Sequence, residues 1–259
     1  MIVLGYIADW AYKPLRAGDI DRMTHVNIAF ALVKDGRGSV AHWSNAAGIE
    51  HAPEDGKNYT EWVRVLREKL GPDRLLTMAC GASQNCCDAL ELKDLVKLMN
   101  FFNIMTYDMC PWSRVGHHTA LYASDIIRSP YGAEAIERYH KAGVPMNQLT
   151  LGAAFYAREY KNVDGLNSDV TEGGHPGFSG GYVKTLEKAA NAGGEKYDEK
   201  AEAAYVYDEK ERTFLTWDNE RSIKAKVEYV KKQGLAGIMF WEYSSDDGDS
   251  TLLKAMAGK

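Results

Sequence analysis

The chain has 259 residues, 45% of them hydrophobic and 26% charged. This is the balance of a soluble globular protein, long enough for one large domain or two small ones and too long for a small disulfide scaffold. A formal net charge of -5 argues against a general nucleic-acid binder, and no apolar run approaches the ~18 residues of a membrane span.

Met1 leads directly into the apolar run Ile2–Ala8, the first strand, with no basic segment or small-residue cleavage site before it. The expected location is therefore the cytoplasm, or outside the cell if a leader has been removed. A second strand is expected over His25–Val33, followed by Lys34–Lys57, a polar segment without clear period. A connection of that length without structure is unusual inside a compact domain. Next, Tyr59, Trp62, Val63, Leu66 and Leu70 fall on one helical face, and Gly71-Pro72 stops that helix. Strands follow over Arg74–Ala79 and Phe101–Tyr107, with a helix over Leu90–Met99 between them. A helix over Tyr131–Ala142 precedes a strand over Leu149–Arg158. A last helix, Ser222–Gln233, is ended by Gly234 before the strand Gly237–Tyr243. This alternation predicts an α/β fold with a parallel sheet or barrel. Residues 164–218 break the rhythm. They are Gly-rich, then show a helix-like Val183–Asn191 and strand-like Ala203–Tyr207 and Arg212–Thr216, and they read as a small α+β insertion. The expected division is 1–163 with 219–259 as the main body and 164–218 as the insertion.

The four cysteines, Cys80, Cys86, Cys87 and Cys110, lie in one stretch. They match neither a spread disulfide framework nor a zinc spacing, and free thiols are expected.

In parallel barrels the active site lies at the C-terminal ends of the strands. Period-2 alternation there groups Met105 with Tyr107, Tyr156 with Arg158, and Met239 with Trp241. If those parities face inward, one floor collects a Trp, two Tyr, an Arg and two Met. That composition suits a carbohydrate: aromatic faces for the ring and a few polar groups for its hydroxyls. Each aromatic taken alone is more often core. Arg158 and Asp108 shift the balance, because buried charges need partners or a role. The overall aromatic content, 11% with 15 Tyr and 6 Trp, points the same way.

Several segments carry a more specific signal. They are Gly5-Tyr6 with Trp10, the run Thr24-His25-Val26-Asn27-Ile28-Ala29-Phe30-Ala31, and Asn58-Tyr59-Thr60 ahead of Leu66–Gly71. Leu75–Ala79, Asn103-Ile104-Met105-Thr106-Tyr107-Asp108, Leu151-Gly152 with Phe155–Arg158, Ala204-Tyr205, Trp217-Asp218, and Gly237-Ile238-Met239-Phe240-Trp241-Glu242 continue it. In this order they resemble the family-18 glycoside hydrolases, the chitinases and their relatives. The resemblance implies a TIM-barrel-derived (β/α) fold with the small α+β insertion, and a substrate of chitin or chitooligosaccharide, β-1,4-linked N-acetylglucosamine. It implies no cofactor, no metal, no nucleic acid and no membrane partner. It places Tyr6, Phe30, Met105, Tyr107, Arg158, Met239 and Trp241 in substrate binding, with Trp241 as stacking floor. Tyr156 and Asp108 take supporting catalytic roles, with tyrosine contacts from Tyr156 or Tyr107.

The family's catalytic strand motif, Asp-Gly-x-Asp-x-Asp-Trp-Glu, is absent from this sequence, as is the Gly-Gly strand motif before it. Both belong between the Phe30 strand and the Tyr59 helix. Lys34–Val40 resembles the loop after the family's second strand, and Ser44–Lys57 the loop after the catalytic strand. The third and fourth strand–helix units are therefore expected to be missing, with the join near Ala41–Trp43. At ~30 residues a unit, roughly 60 residues are gone, leaving six core strands where a full barrel has eight. The implied reaction is substrate-assisted: the N-acetyl oxygen attacks, a Glu protonates the leaving oxygen, and an Asp orients the acetamide. Losing the general acid alone removes about 10²–10⁴-fold, so weak or no hydrolysis is expected. A non-catalytic chitooligosaccharide-binding protein is the alternative, and a scaffold with no ligand the third reading. Asp9, Glu50, Glu54, Glu61 and Glu242 are stand-in acids by availability alone. Strand edges left open by the missing units predict pairing between chains, a homo-oligomer, unless a tightened six-stranded barrel closes. His117-His118 suggests either a metal pair or, by the resemblance, loop residues near the sugar cleft. Asp246-Asp247-Gly248-Asp249 lacks the rest of a calcium loop and reads as a capping turn before Thr251.

Overall fold

The structure, a computed structural model, describes residues 1–8, 15–29, 31–34, 37–40 and 55–258, with backbone alone over 31–34 and 37–40. Phe30, Trp10 and the expected join at Ala41–Trp43 lie outside the described residues.

Six strands form one parallel sheet: β1 (Ile2–Ala8), β2 (His25–Ala29), β5 (Thr77–Gly81), β6 (Phe101–Met105), β7 (Leu149–Ala154) and β13 (Gly237–Trp241). Their order is β2-β1-β13-β7-β6-β5, with every neighbouring pair parallel. The curled sheet joins the chain's first and last strands side by side, Ile2 opposite Gly237. It ends at β2 and β5, the two strands that flank the expected deletion. This is the six-stranded partial barrel predicted from the sequence.

The strands are apolar on both faces, as parallel sheets covered by helices require; β7 is buried at every residue. One face, with Phe102, Ile104, Leu151, Ile238 and Phe240, packs into the main core beneath the helices. The other gathers Leu4, Phe101 and Met239 into a smaller inner cluster. The outer-facing residues of edge strand β2 lack such cover: Ile28 is 64% exposed.

Helices α1 (Asp55–Leu70), α2 (Gln84–Asp88), α3 (Leu92–Leu98), α4 (Gly132–Lys141), α6 (Glu220–Gln233) and α7 (Thr251–Ala257) accompany this sheet. On α1, Val63 is fully buried but Trp62 is exposed, so the expected apolar face is only partly covered. The helix begins at Asp55, inside the expected loop Ser44–Lys57. The expected strand His25–Val33 is divided: β2 ends at Ala29, and β3 (Ala31–Lys34) pairs in an antiparallel hairpin with β4 (Arg37–Val40), which lies within the aperiodic stretch. Gly234 ends α6 in the left-handed conformation (φ 68°), which glycine adopts without a Cβ penalty. All four cysteines are free.

The expected strand Leu149–Arg158 is in fact two. β7 ends at Ala154, and β8 (Tyr156–Tyr160) belongs to a second sheet with β9 (Gly177–Gly181), β10 (Lys196–Asp198), β11 (Ala203–Asp208) and β12 (Thr213–Trp217), in the order β10-β11-β12-β8-β9. Phe155 is the corner. Its N–H donates to the Trp241 carbonyl (2.9 Å), and its ring stacks on Phe240 at 4.2 Å. The antiparallel sheet thus takes in residues upstream of 164. It carries α5 (Tyr182–Asn191) between β9 and β10.

Candidate active site

Parallel ladders bring the C-terminal ends of β1, β6, β7 and β13 to one side of the sheet. Past the end of β6, Thr106 donates its hydroxyl to the Gly152 carbonyl (2.7 Å) and accepts the Gly152 N–H (2.9 Å). This fixes the chain as it leaves the strand. Gly152 has no room for a side chain. A Cβ there would lie 2.7 Å from the Ile104 carbonyl oxygen, 2.8 Å from the Thr106 nitrogen and 3.0 Å from the Tyr107 ring. Tyr107 occupies that space, its hydroxyl 3.9 Å from the Met239 sulfur and its ring edge-on to Tyr156 at 6.2 Å. Tyr6 lies 5.7 Å from Trp241, ring to ring. Tyr6, Met105 and Tyr107 all pack against the inner cluster that contains Met239. Met105, Tyr107 and Met239 thus share the inner cluster, whereas Tyr156 and Arg158 come from β8 of the antiparallel sheet.

Asp108 follows with φ 57°, a left-handed conformation that Asp tolerates better than most side chains. Its carboxylate meets Arg158 fork to fork: Nε donates to Oδ1 at 2.6 Å and Nη2 to Oδ2 at 2.7 Å. The same guanidinium lies 5.5 Å from the centre of the Tyr156 ring. A cavity of about 610 Å³ opens on Met105, Tyr107 and Asp108, with Trp112, Glu134 and Arg138 also in its wall, while Tyr6, Tyr156, Arg158, Met239 and Trp241 are not part of that wall; its size suits a small ligand. A larger hollow of about 1110 Å³ lies by α1, β5 and α2, against Tyr59, Trp62, Met78 and Cys86, and touches none of the candidate residues.

Burial pushes the Asp108 carboxyl up, but the paired hydrogen bonds from Arg158 and the His118 ring, whose Nδ1 lies 3.4 Å from Oδ1, outweigh it and hold the group well below the usual carboxylate range. Burial opposes the charge on Arg158 as well, and Asp108 more than restores it. Burial raises the phenols of Tyr6, Tyr107 and Tyr156, so at neutral pH all three keep their protons and can donate. The site thus combines an ion pair with neutral hydroxyls and aromatic faces. It can orient and stack an uncharged sugar.

Of the stand-in acids, Asp9, Glu50 and Glu54 lie outside the described residues. Glu61 is exposed on α1, 3.6 Å from Arg64. Glu242 is buried, but its carboxylate is engaged by its own turn, accepting the Ser244 N–H (3.1 Å) and the hydroxyls of Ser244 (2.5 Å) and Ser245 (2.8 Å). Among the described residues, no group of three or more His, Cys, Asp or Glu side chains is arranged to hold a metal. Asp246 and Asp247 accept backbone N–H groups of Thr251, Leu252 and Leu253 at the start of α7, the capping turn expected.

Sequence reasoning underrated four residues. Asn27 and Asn103 lie near the Tyr6 hydroxyl and counter in part the burial that raises it, and a polar residue inside an apolar strand was the available signal. Phe178, 66% exposed, lies 5.8 Å from the Tyr156 ring and gave no local signal. His118, a loop residue, is fully buried and bonded to the backbone of Asp108 and Tyr156.

The family model for glycosyl hydrolases family 18 matches residues 41–246. Chitinase A1 of Niallia circulans is 31% identical over 226 residues, covering 77% of this chain and 32% of that protein. Endochitinase 1 of Metarhizium robertsii is 31% identical over 192 residues, covering 71% and 45%. The chain thus spans less than half the length of these relatives. Among solved structures, a glycoside hydrolase family 18 N-acetylglucosaminidase from Paenibacillus barengoltzii superposes with a TM-score of 0.85 at 27% identity, covering 99% of both chains.

Proposed function

The chain belongs to glycosyl hydrolase family 18, and from that premise we propose that it binds chitooligosaccharide and hydrolyses it weakly or not at all. In this reading Trp241 and Tyr6 give the stacking surface. Arg158 and Asp108 bind hydroxyls or the acetamido neighbourhood, and Tyr107 and Tyr156 offer neutral phenolic donors. Met105 and Met239 complete the apolar lining, and Phe30 is assigned to substrate binding by the resemblance alone. The reaction of the family needs an acid at the scissile oxygen and an Asp at the acetamide. The sequence has no Asp-x-Asp-x-Glu motif to supply them.

One observation carries the proposal: the sugar-type groups converge while the described carboxylates beside them have partners, Glu134 of the cavity wall lying 3.6 Å from Arg138. Asp108 is bound to Arg158 and Glu242 to its own serines. Support for the deletion comes from the sheet, which ends at β2 and β5, and from the family match, which begins at residue 41. The same open edges, with Val26 and Ile28 exposed on β2, favour self-association, and sedimentation at increasing concentration tests that part.

Two assays separate the readings. A fluorogenic chitobiose substrate should release little or no product. Turnover that Glu50→Gln or Glu54→Gln abolishes would show that a loop carboxylate serves as the acid. Tryptophan fluorescence titrated with chitotetraose should change and saturate. No response at millimolar sugar removes the binding reading and leaves a scaffold.

A further inference from the structure

His117 and His118 are both fully buried, side by side in the loop between β6 and α4. We propose that His118 is a positioning residue that sets Asp108 against Tyr156, while His117 ties the same loop to the second sheet. The proposal deepens the chitooligosaccharide reading of the cleft and rests on it.

The Asp108 N–H donates to Nδ1 of His118 at 3.0 Å. The other ring nitrogen, Nε2, lies 3.2 Å from the Tyr156 carbonyl oxygen. A ring that accepts at Nδ1 carries its proton at Nε2, so the single neutral Nε2–H tautomer makes both bonds. The opposite tautomer would gain only the longer 3.4 Å contact from Nδ1 to Asp108 Oδ1, and it would set N–H against N–H at Asp108 and a lone pair against a carbonyl at Tyr156. The ring also packs against the Tyr156 ring, 5.1 Å between centres.

These contacts span a seam. Asp108 follows β6 of the parallel sheet, whereas Tyr156 opens β8 of the antiparallel one. Arg158, two residues along β8, grips the Asp108 carboxylate, and His118 holds the Asp108 amide. Together they fix a residue whose left-handed backbone (φ 57°) could otherwise relax. His117 points the other way. Its Nε2 lies 3.3 Å from Asp198 Oδ2 and its Nδ1 3.3 Å from the Thr216 hydroxyl. Asp198 is itself held by the Ser124 hydroxyl and by the N–H groups of Lys200 (3.2 Å) and Ala201 (3.1 Å). Consecutive residues therefore anchor the loop to the second sheet and the cleft at once.

A histidine that merely filled space would be replaceable by Phe, and one that positions Asp108 would not. Chitotetraose binding, followed by tryptophan fluorescence, should weaken about tenfold or more in His118→Phe. It should stay within about threefold of wild type in His118→Gln, which keeps an acceptor and a donor. Ring ¹⁵N shifts of the wild-type protein should report the Nε2–H tautomer. An Nδ1–H tautomer, or a folded His118→Phe protein that binds sugar as tightly as wild type, overturns the proposal. If the Phe variant does not fold, the Gln variant and the tautomer decide. If wild type binds no sugar, the cleft reading falls by itself. His118 is then judged by its tautomer and by the shift of the Asp108 amide in the variants.

Discussion

Arg158 and Asp108 form the kind of paired contact in which arginine and lysine are not equivalent. Two parallel N–H···O bonds at 2.6 and 2.7 Å fix the carboxylate in a plane, and a lysine ammonium can supply only a point charge. Arg158→Lys should therefore keep the charge and lose the geometry, weakening chitotetraose binding about tenfold while the fold persists. Parallel fluorescence titration and circular dichroism would separate the two effects. Gly152 makes the opposite point, a site shaped by an absent side chain. In Gly152→Ala the new methyl would meet backbone on β6 and the Tyr107 ring at 3.0 Å or less. We expect a loss of about 1–3 kcal/mol in urea unfolding and a weaker sugar response as Tyr107 is displaced. The shared face of Tyr107 and Met239 was legible in the sequence because strand parity is a local property, whereas parity could not carry past the Phe155 corner to Arg158. Gly152's reason was not, since it lies in a neighbouring strand some 45 residues away in the chain.

At the level of elements, helix ends were read well wherever the signal is local. Gly234 stops α6, and the acidic turn before Thr251 caps α7. Burial was read less well, as Trp62 shows: periodicity says which residues share a face but not what covers it. The α7 cap also gives a pH dependence. Asp246 accepts the N–H groups of Leu252 and Leu253, yet burial outweighs these bonds and pushes its carboxyl up from 3.8 to about 6. The folded state then holds this proton more tightly than the unfolded chain. Its contribution is greatest below pH 4 and is lost as the pH rises through about 6. Between pH 4.5 and 7 wild type should lose about 2 kcal/mol relative to Asp246→Asn. Denaturant unfolding of the pair at both pH values measures that difference. Taking the difference also removes the opposite effect of His117, whose proton affinity burial lowers. A gap between the two proteins that does not change with pH would show that Asp246 titrates as an ordinary carboxylate.

Across the whole molecule, the count of six core strands was legible because each strand announces itself over a handful of residues. The junction of the two sheets was not, because a single corner residue, Phe155, divides one continuous apolar run. That junction is held by a charge pair no periodicity could reveal. Lys226 of α6 is buried against Asp218, with Nζ 2.8 and 2.6 Å from the two carboxylate oxygens and 2.6 Å from the Thr119 hydroxyl. Asp218 also accepts the Ala154 N–H where β7 ends (3.0 Å), the Thr119 hydroxyl (3.0 Å) and the Ser222 hydroxyl (2.6 Å). One carboxylate thus joins the parallel sheet, the exit from β12, the loop after β6 and α6. Burial lowers the proton affinity of Lys226, and Asp218 works against that shift. Such a pair adds little net stability compared with apolar residues of the same shape, but removing one partner strands the other charge. Lys226→Met should cost about 3–5 kcal/mol in urea unfolding. Adding Asp218→Asn to it should recover much of that loss, because the charge is gone while an oxygen remains for the Ala154 N–H. If instead the two losses simply add, the pair is not coupled, and the junction owes its strength to the stacking of Phe155 on Phe240.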